Sequence, residues 1–346
     1  MPRTTLALTS FVSGELGAKL DGRTDFNKYN TGAKTLENFL IHPQGAATRR
    51  VGTQFIAEVK NSAAKTRLIP FEFSTIQTYV LEFGNQYMRV YKDKGQVLSG
   101  GSAFEISTPY LTAELFEIKF AQSADVMYIT HPNHAARKLS RTGHTSWTLT
   151  EIDFTDGPYL SQNTTSTTLT PSGTSGSVNI TASASLFAAT DVGRLVSFSN
   201  GRAKITGFTS ATVVAATTQD DFDNTNAVST WKLGAFSGTT GHPSCVSFFE
   251  QRLVFAGTSS EPQTLYFSKA GDYENMTSGT NADDAMVYTI ASNQVNRIRY
   301  LKSQRTLIVG TTGGEFTVSA DGTDAAITPT NIVIKKQSSY GTANVD

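Results

Sequence analysis

Cysteine is almost missing from this chain: Cys245 is the single one in 346 residues. That excludes an internal disulfide framework and any metal site built on cysteines. An excess of either charge is missing too, with 29 Lys and Arg against 29 Asp and Glu, so no global field draws the chain to nucleic acid or to a membrane. No apolar run approaches the roughly 20 residues that cross a bilayer. The start, Met1-Pro2-Arg3, leads into polar Thr and Ser rather than into a signal peptide. These absences fit a protein made and kept in a cytosol-like setting, or assembled there into something larger. The familiar catalytic signatures are absent as well: there is no G-x-S-x-G elbow, Walker loop or dinucleotide fingerprint. The expectation is a non-enzymatic chain without cofactor or resident metal.

What is present is length enough for two or three domains and a sizeable core. Thr, Ser, Gly and Asn are abundant while charged residues make up 17%, a composition that suits short strands joined by many turns. The charge is unevenly spread. Residues 1–150 carry 17 basic and 12 acidic side chains, and residues 151–346 carry 12 and 17. A chain polarised in this way can stack head to tail or face an oppositely charged ring.

The stretch 10–60 predicts a helix, a basic turn and a strand. Phe26, Tyr29, Ala33, Leu36 and Leu40 recur at the spacing of one helix face. Thr24 or Asp25 would cap the start, and His42-Pro43 would stop the helix. From Arg67 onward strict alternation takes over. Tyr79–Phe83 and Tyr87–Tyr91 predict a hairpin around Gly84-Asn85. Similar units return at 116–141, 246–268 and 298–319. Four antiparallel units of like design fit the blades of a β-propeller or layers of a related platform, because a lone hairpin cannot bury its apolar face. A generic β-sandwich is the alternative architecture. Residues 161–236, rich in Thr and Ser yet with recurring Val, Ile, Leu and Phe, read as a small β domain inserted in a platform loop. The expected organisation is thus mainly β: 1–60 as a helix-turn-strand region, 61–160 as the first part of a propeller-like platform, 161–236 as the inserted domain and 237–346 as the second part.

Candidate chemistry is sparse. His131 and His134, with His144 and Asp125 near in sequence, suggest a zinc site, but Pro132-Asn133 makes the spacing a turn, and three or four ligands must converge. Asp220-Asp221-Phe222-Asp223-Asn224 has the carboxylate density of a calcium loop without the Gly and bidentate Glu at the required offsets. Ser140–Trp147, SRTGHTSW, resembles the Asp-box of sialidase-type propellers, with Thr142 in the place of the acid and Gly143 one position early. That box is a turn motif. Cys245, in an apolar strand, reads as a small core hydrophobe. The guanidinium groups of Arg49 and Arg50 either satisfy loop carbonyls or an acid such as Asp25 or Glu37, or cross to a neighbouring subunit. Firm phosphate contacts would hold back sliding DNA, which disfavours a third role as DNA contacts.

Several positions together resemble the tail nozzle proteins (tail tubular protein B-like) of short-tailed bacteriophages. They are Phe11, Gly14-Glu15, Leu20, Gly22-Arg23-x-Asp25, Lys28-Tyr29, Gly32, Leu36-x-Asn38, Gly45 and Arg49-Arg50-Val51-Gly52-Thr53-x-Phe55, with Val51 where the family has Pro. A second block, 242–276, adds to the likeness, and the two cover roughly a quarter of the chain. The resemblance implies a structural virion protein that closes into a ring, in this family of six copies. Such a ring docks on a tail adaptor, retains DNA before infection and conducts it during ejection without sequence-specific binding. It implies structural or interface roles for Arg23, Asp25, Tyr29, Asn38, Arg49, Arg50, Gly52 and Arg252. It also implies location in the phage tail after assembly in the host cytoplasm, an inserted module that projects toward fibres or host, and a sequence that continues past residue 346. The rival reading is a carbohydrate-binding or glycan-hydrolysing β-propeller of a tail spike, monomeric or trimeric.

Overall fold

A computed structural model of the chain describes residues 7–74, 77–292, 294–322 and 325–344, so Met1-Pro2-Arg3 lies outside the described residues. The chain divides into two compact units, Met1–Ile56 and Ala57–Asp346.

The first unit is built of minimal pieces. Strand β1 (Gly14–Glu15) pairs in parallel with β2 (Gly32–Ala33), and β3 (Phe39–Ile41) pairs antiparallel with β4 (Ala47–Arg49). The expected helix over 26–40 does not form. Its place holds a 3₁₀ turn at Asn27–Thr31, then β2, then β3. Two local features defeat the helical spacing. Gly32 accommodates the Leu16 side chain where a Cβ would stand, and Asn38 takes φ +63°, which ends any right-handed run.

The second unit is mainly β and propeller-like. Its first sheet holds β5 (Arg67–Glu72), β6 (Thr78–Gly84), β7 (Tyr87–Lys92), the short β8 (Gly95–Gln96) and, beyond a two-stranded ribbon of β9 (Leu98–Ser99) and β10 (Ser102–Ala103), β11 (Glu105–Ser107). Pro70 is tolerated because β5 is the edge strand. The second sheet is β12 (Lys119–Ser123), β13 (Val126–His131), β14 (His134–Gly143) and β15 (Ser146–Glu151), in sequence order.

After β15 the chain leaves for a separate six-stranded sheet made of β16 (Leu169–Pro171), β17 (Ser177–Ala182), β18 (Leu195–Phe198), β19 (Gly201–Ser210), β20 (Val213–Asp220) and β21 (Trp231–Leu233). This module has its own core of Leu169, Ile180, Val196, Phe198, Ile205, Val214 and Trp231 among others. The chain enters and leaves it side by side, the Leu160 amide donating to the Leu233 carbonyl and the Asn163 amide to that of Trp231, both at 2.9 Å. The third sheet follows as β22 (Cys245–Phe249), β23 (Arg252–Ala256), β24 (Thr264–Phe267) and β25 (Met286–Thr289). The fourth is β26 (Ile298–Ser303), β27 (Leu307–Thr311), β28 (Gly314–Ala320) and β29 (Ile332–Ser338).

The platform sheets share cores in series. Ile69, Phe71, Leu81 and Phe83 of the first meet Met127, Ile129 and Trp147 of the second. Tyr128 and Ala136 on the other face of the second join Val246, Leu253, Phe255 and Tyr266 of the third. Val254, Ala256, Leu265 and Phe267 of the third face Leu307, Val309, Phe316 and Val318 of the fourth. Strand β23 is therefore buried along its whole length, and after Arg252 its apolar run Leu253–Ala256 is what a strand covered on both faces requires. Tight turns carry the order: the loop pairs Asp93-Lys94, Ser199-Asn200 and Glu250-Gln251 all take positive φ, the twist that matches two-residue hairpins.

Candidate functional site

The described residues of the first unit form no apolar core. Among its described residues only Gly14, Gly32 and Gly45 are buried, and Leu40, Val51 and Phe55 are 58%, 83% and 78% exposed, with Phe39, Ile41 and Ile56 exposed beside them in sequence. The family-like residues sit on this surface. Arg23 pairs with Asp25 at 2.8 Å in a bidentate contact, and the Tyr29 hydroxyl accepts the Gly22 amide at 3.4 Å. Asn38 is held by both ends, its side-chain oxygen accepting Arg50 Nε at 2.6 Å and its carbonyl accepting the Arg50 amide at 2.9 Å. Arg49 lies opposite Phe39 in the β3–β4 ladder. Gly52 has open space where a Cβ would go and an ordinary φ, so its backbone does not demand glycine.

Arg252 belongs to a different setting. It is 2% exposed, and its guanidinium donates to the carbonyls of Ser268 (2.8 Å), Ala282 (2.6 Å), Asp283 (3.3 Å) and Asp284 (2.7 Å). It ties the loop before β25 to the third sheet, a structural role within one chain.

A cleft of about 800 Å³ opens between the inserted module and the third sheet, lined by Asp156, Tyr159, Trp231, Glu261, Tyr266 and Thr277 among others. Several of its polar groups are engaged within the chain. Asp156 accepts from Tyr159 and Thr277 and faces Arg202 at 3.5 Å, and Glu261 accepts from Thr264. The Trp231 indole donates to the Thr167 carbonyl, and Trp231 and Tyr266 are buried.

The histidine pair behaves differently from its sequence neighbours. His131 and His134 flank the β13–β14 turn, and the 3₁₀ turn at Leu115–Glu117, preceded by Glu114, brings a carboxylate to them. One ligand atom from each of Glu114, His131 and His134 lies within 4.8 Å of the others. The two partners named from sequence go elsewhere: Asp125 pairs with Arg141 at 2.6 Å, and His144 Nδ1 bonds the Tyr79 hydroxyl at 2.7 Å. Sequence reasoning missed Glu114 because the pairing of β12 with β13, not chain proximity, brings it close.

The acidic run offers no such cluster. Asp220 pairs with Arg202 at 2.9 Å, Asp223 accepts from Asn200 at 2.6 Å, and Phe222 packs on Phe198 with ring centroids 4.3 Å apart. SRTGHTSW is a hairpin turn, with Thr142 bonded to Ser146 and the Trp147 indole donating to the His144 carbonyl. Cys245 is buried in the core of the third and fourth sheets, and burial pushes its thiol up to about 11, out of reach of nucleophilic use. Among the described residues no helix is long and apolar enough to cross a membrane.

No family model matches this chain, and no curated protein matches it. Among solved structures it is similar to a phage phi92 endosialidase, at 10% identity and a TM-score of 0.20, with 78% of this chain and 54% of that chain covered. This chain therefore spans about half the length of that neighbour. A superposition this loose transfers no residue role.

Proposed function

We propose that this chain is a structural subunit of a short phage tail: a nozzle-type protein that closes into a ring of copies, six in the family it resembles. In this reading it docks on a tail adaptor, retains viral DNA and then lets it pass through the ring. The mechanism is steric and electrostatic, and no bond is made or broken. The observation that carries the reading is the first unit, whose described residues bury no apolar side chain while Leu40, Val51 and Phe55 stand exposed. A segment of this size cannot hold itself together without burial, and large apolar side chains left exposed along so short a stretch favour cover by another protein surface. The uneven charge of the two halves supports contacts between unlike surfaces of successive copies, the arrangement that closes rings.

Mass photometry of the purified chain, alone and with its adaptor, tests this. The expected result is a large oligomer in at least one condition, lost in a Val51→Asp/Phe55→Asp double variant whose second unit melts as in the parent. A parent chain that stays monomeric in both conditions, or a variant that assembles equally well, overturns it.

A further inference from the structure

We propose that Glu114, His131 and His134 form a binding site for a divalent transition-metal ion of the zinc class, clamping the Leu115–Glu117 turn to the β13–β14 hairpin. The donor set is one carboxylate and two imidazoles, a combination that suits zinc and its neighbours rather than calcium or magnesium. The proposal is independent of ring assembly.

His131 is the fixed member, with no exposed side-chain surface. Its Nδ1 accepts the Asn133 amide at 3.1 Å, which places the ring proton on Nε2. That Nε2 is buried and makes no well-formed hydrogen bond among the described residues, and Glu117 Oε2 stands 3.7 Å away. A buried polar atom without a partner is costly, and a cation bound there relieves that cost. Ligation through Nε2 moves the ring proton to Nδ1 and gives up the Asn133 contact.

The other two members can close on the ion. Glu114 and His134 are already joined, Oε2 to Nε2, at 2.9 Å, and both are only partly exposed. Glu114 is itself held from behind, accepting the Leu111 amide at 2.9 Å and the Asn133 side-chain amide at 3.3 Å, the kind of outer support that orients ligands. Donors around a tetrahedral zinc ion stand roughly 3.3 Å apart. The cluster therefore needs the partly exposed side chains to move by an ångström or two toward the buried one. The half-exposed Glu117, whose Oε2 stands 3.7 Å from His131 Nε2, or a water would complete a fourth position. Tyr110 walls the site, its ring edge-on to His134 with centroids 5.3 Å apart.

The test uses the full chain, free of any affinity tag, stripped with EDTA and titrated with Zn²⁺ by calorimetry and with Co²⁺ by visible absorption. One ion per chain, a four-coordinate Co²⁺ spectrum, and a Tm that rises with zinc and falls again with EDTA are expected. His134→Gln and Glu114→Gln should each weaken binding at least about tenfold, while His42→Gln should not. The Tm and spectral measurements on the parent chain need no variant, so a misfolded mutant leaves the proposal open to refutation. No uptake of Zn²⁺ by the parent at micromolar concentration, or uptake unchanged in His134→Gln, overturns it.

Discussion

Arg252 illustrates how a charged side chain becomes structural. Its guanidinium is buried and meets four carbonyls rather than a bonded carboxylate, so its donors fit a fork that no apolar residue reproduces. Arg252→Met should cost about 3 kcal/mol, since it leaves several buried acceptors unpaired, and Arg252→Lys should recover only part of that in urea unfolding. The buried carboxylate of Glu82 sets up a second effect. It accepts from the hydroxyls of Tyr87 and Tyr91. Burial, and then the Glu82 carboxylate, push the Tyr91 phenol up to about 12. Below pH 10 the phenol is neutral in both folded and unfolded chains, and its contribution to stability is intact. Between pH 10 and 12 only the unfolded chain ionises it, so stability falls as pH rises through that window. Unfolding curves taken across it should decline less steeply in Tyr91→Phe than in the parent.

At the scale of elements, period-2 alternation was legible wherever it acts locally. Arg67, Ile69 and Phe71 point inward in β5 while Leu68, Pro70 and Glu72 point outward, and the hairpins flagged by Tyr79–Tyr91 and Arg252–Phe267 are present with extra strands on their flanks. The stripe of Phe26, Tyr29, Ala33, Leu36 and Leu40 misled because helical spacing decides nothing without a partner to pack on. A positive φ at Asn38 and a parallel pairing of Gly32 with Gly14 are tertiary choices that the stripe does not encode. The Glu114–His131–His134 cluster was half legible: the histidine pair shows in the sequence, but the carboxylate arrives from another element. The buried strand β23 gives the sharpest contrast in sensitivity. Phe255 is buried against the rings of Phe154 and Phe236, with centroids 5.8 and 5.9 Å away. Phe255→Ala should therefore cost about 3–5 kcal/mol. Leu68→Ala, on the exposed face of the edge strand β5, should change stability by about 0.5 kcal/mol or less. Denaturant titrations of the two variants side by side check the difference.

On the scale of the whole second unit, the six-stranded module and the platform hold separate cores, and what joins them is mostly polar. Lys204 reaches Asp153 at 2.8 Å and Arg202 reaches Asp156 at 3.5 Å, partly exposed pairs worth about 0–1 kcal/mol each. Replacing residues 164–230 with a short Gly/Ser linker should leave the platform folded, its calorimetric transition shifted by only a few degrees, because the chain ends at that point already lie side by side. Collapse of the transition would show that the two cores depend on one another. The platform itself is different in kind, since each of its inner sheets is shared property. In β23 consecutive side chains answer to opposite compartments, Leu253 and Phe255 to one and Val254 and Ala256 to the other. That strand acts as a party wall: a substitution that disturbs one of its two compartments acts on a backbone only five residues long that the other compartment shares.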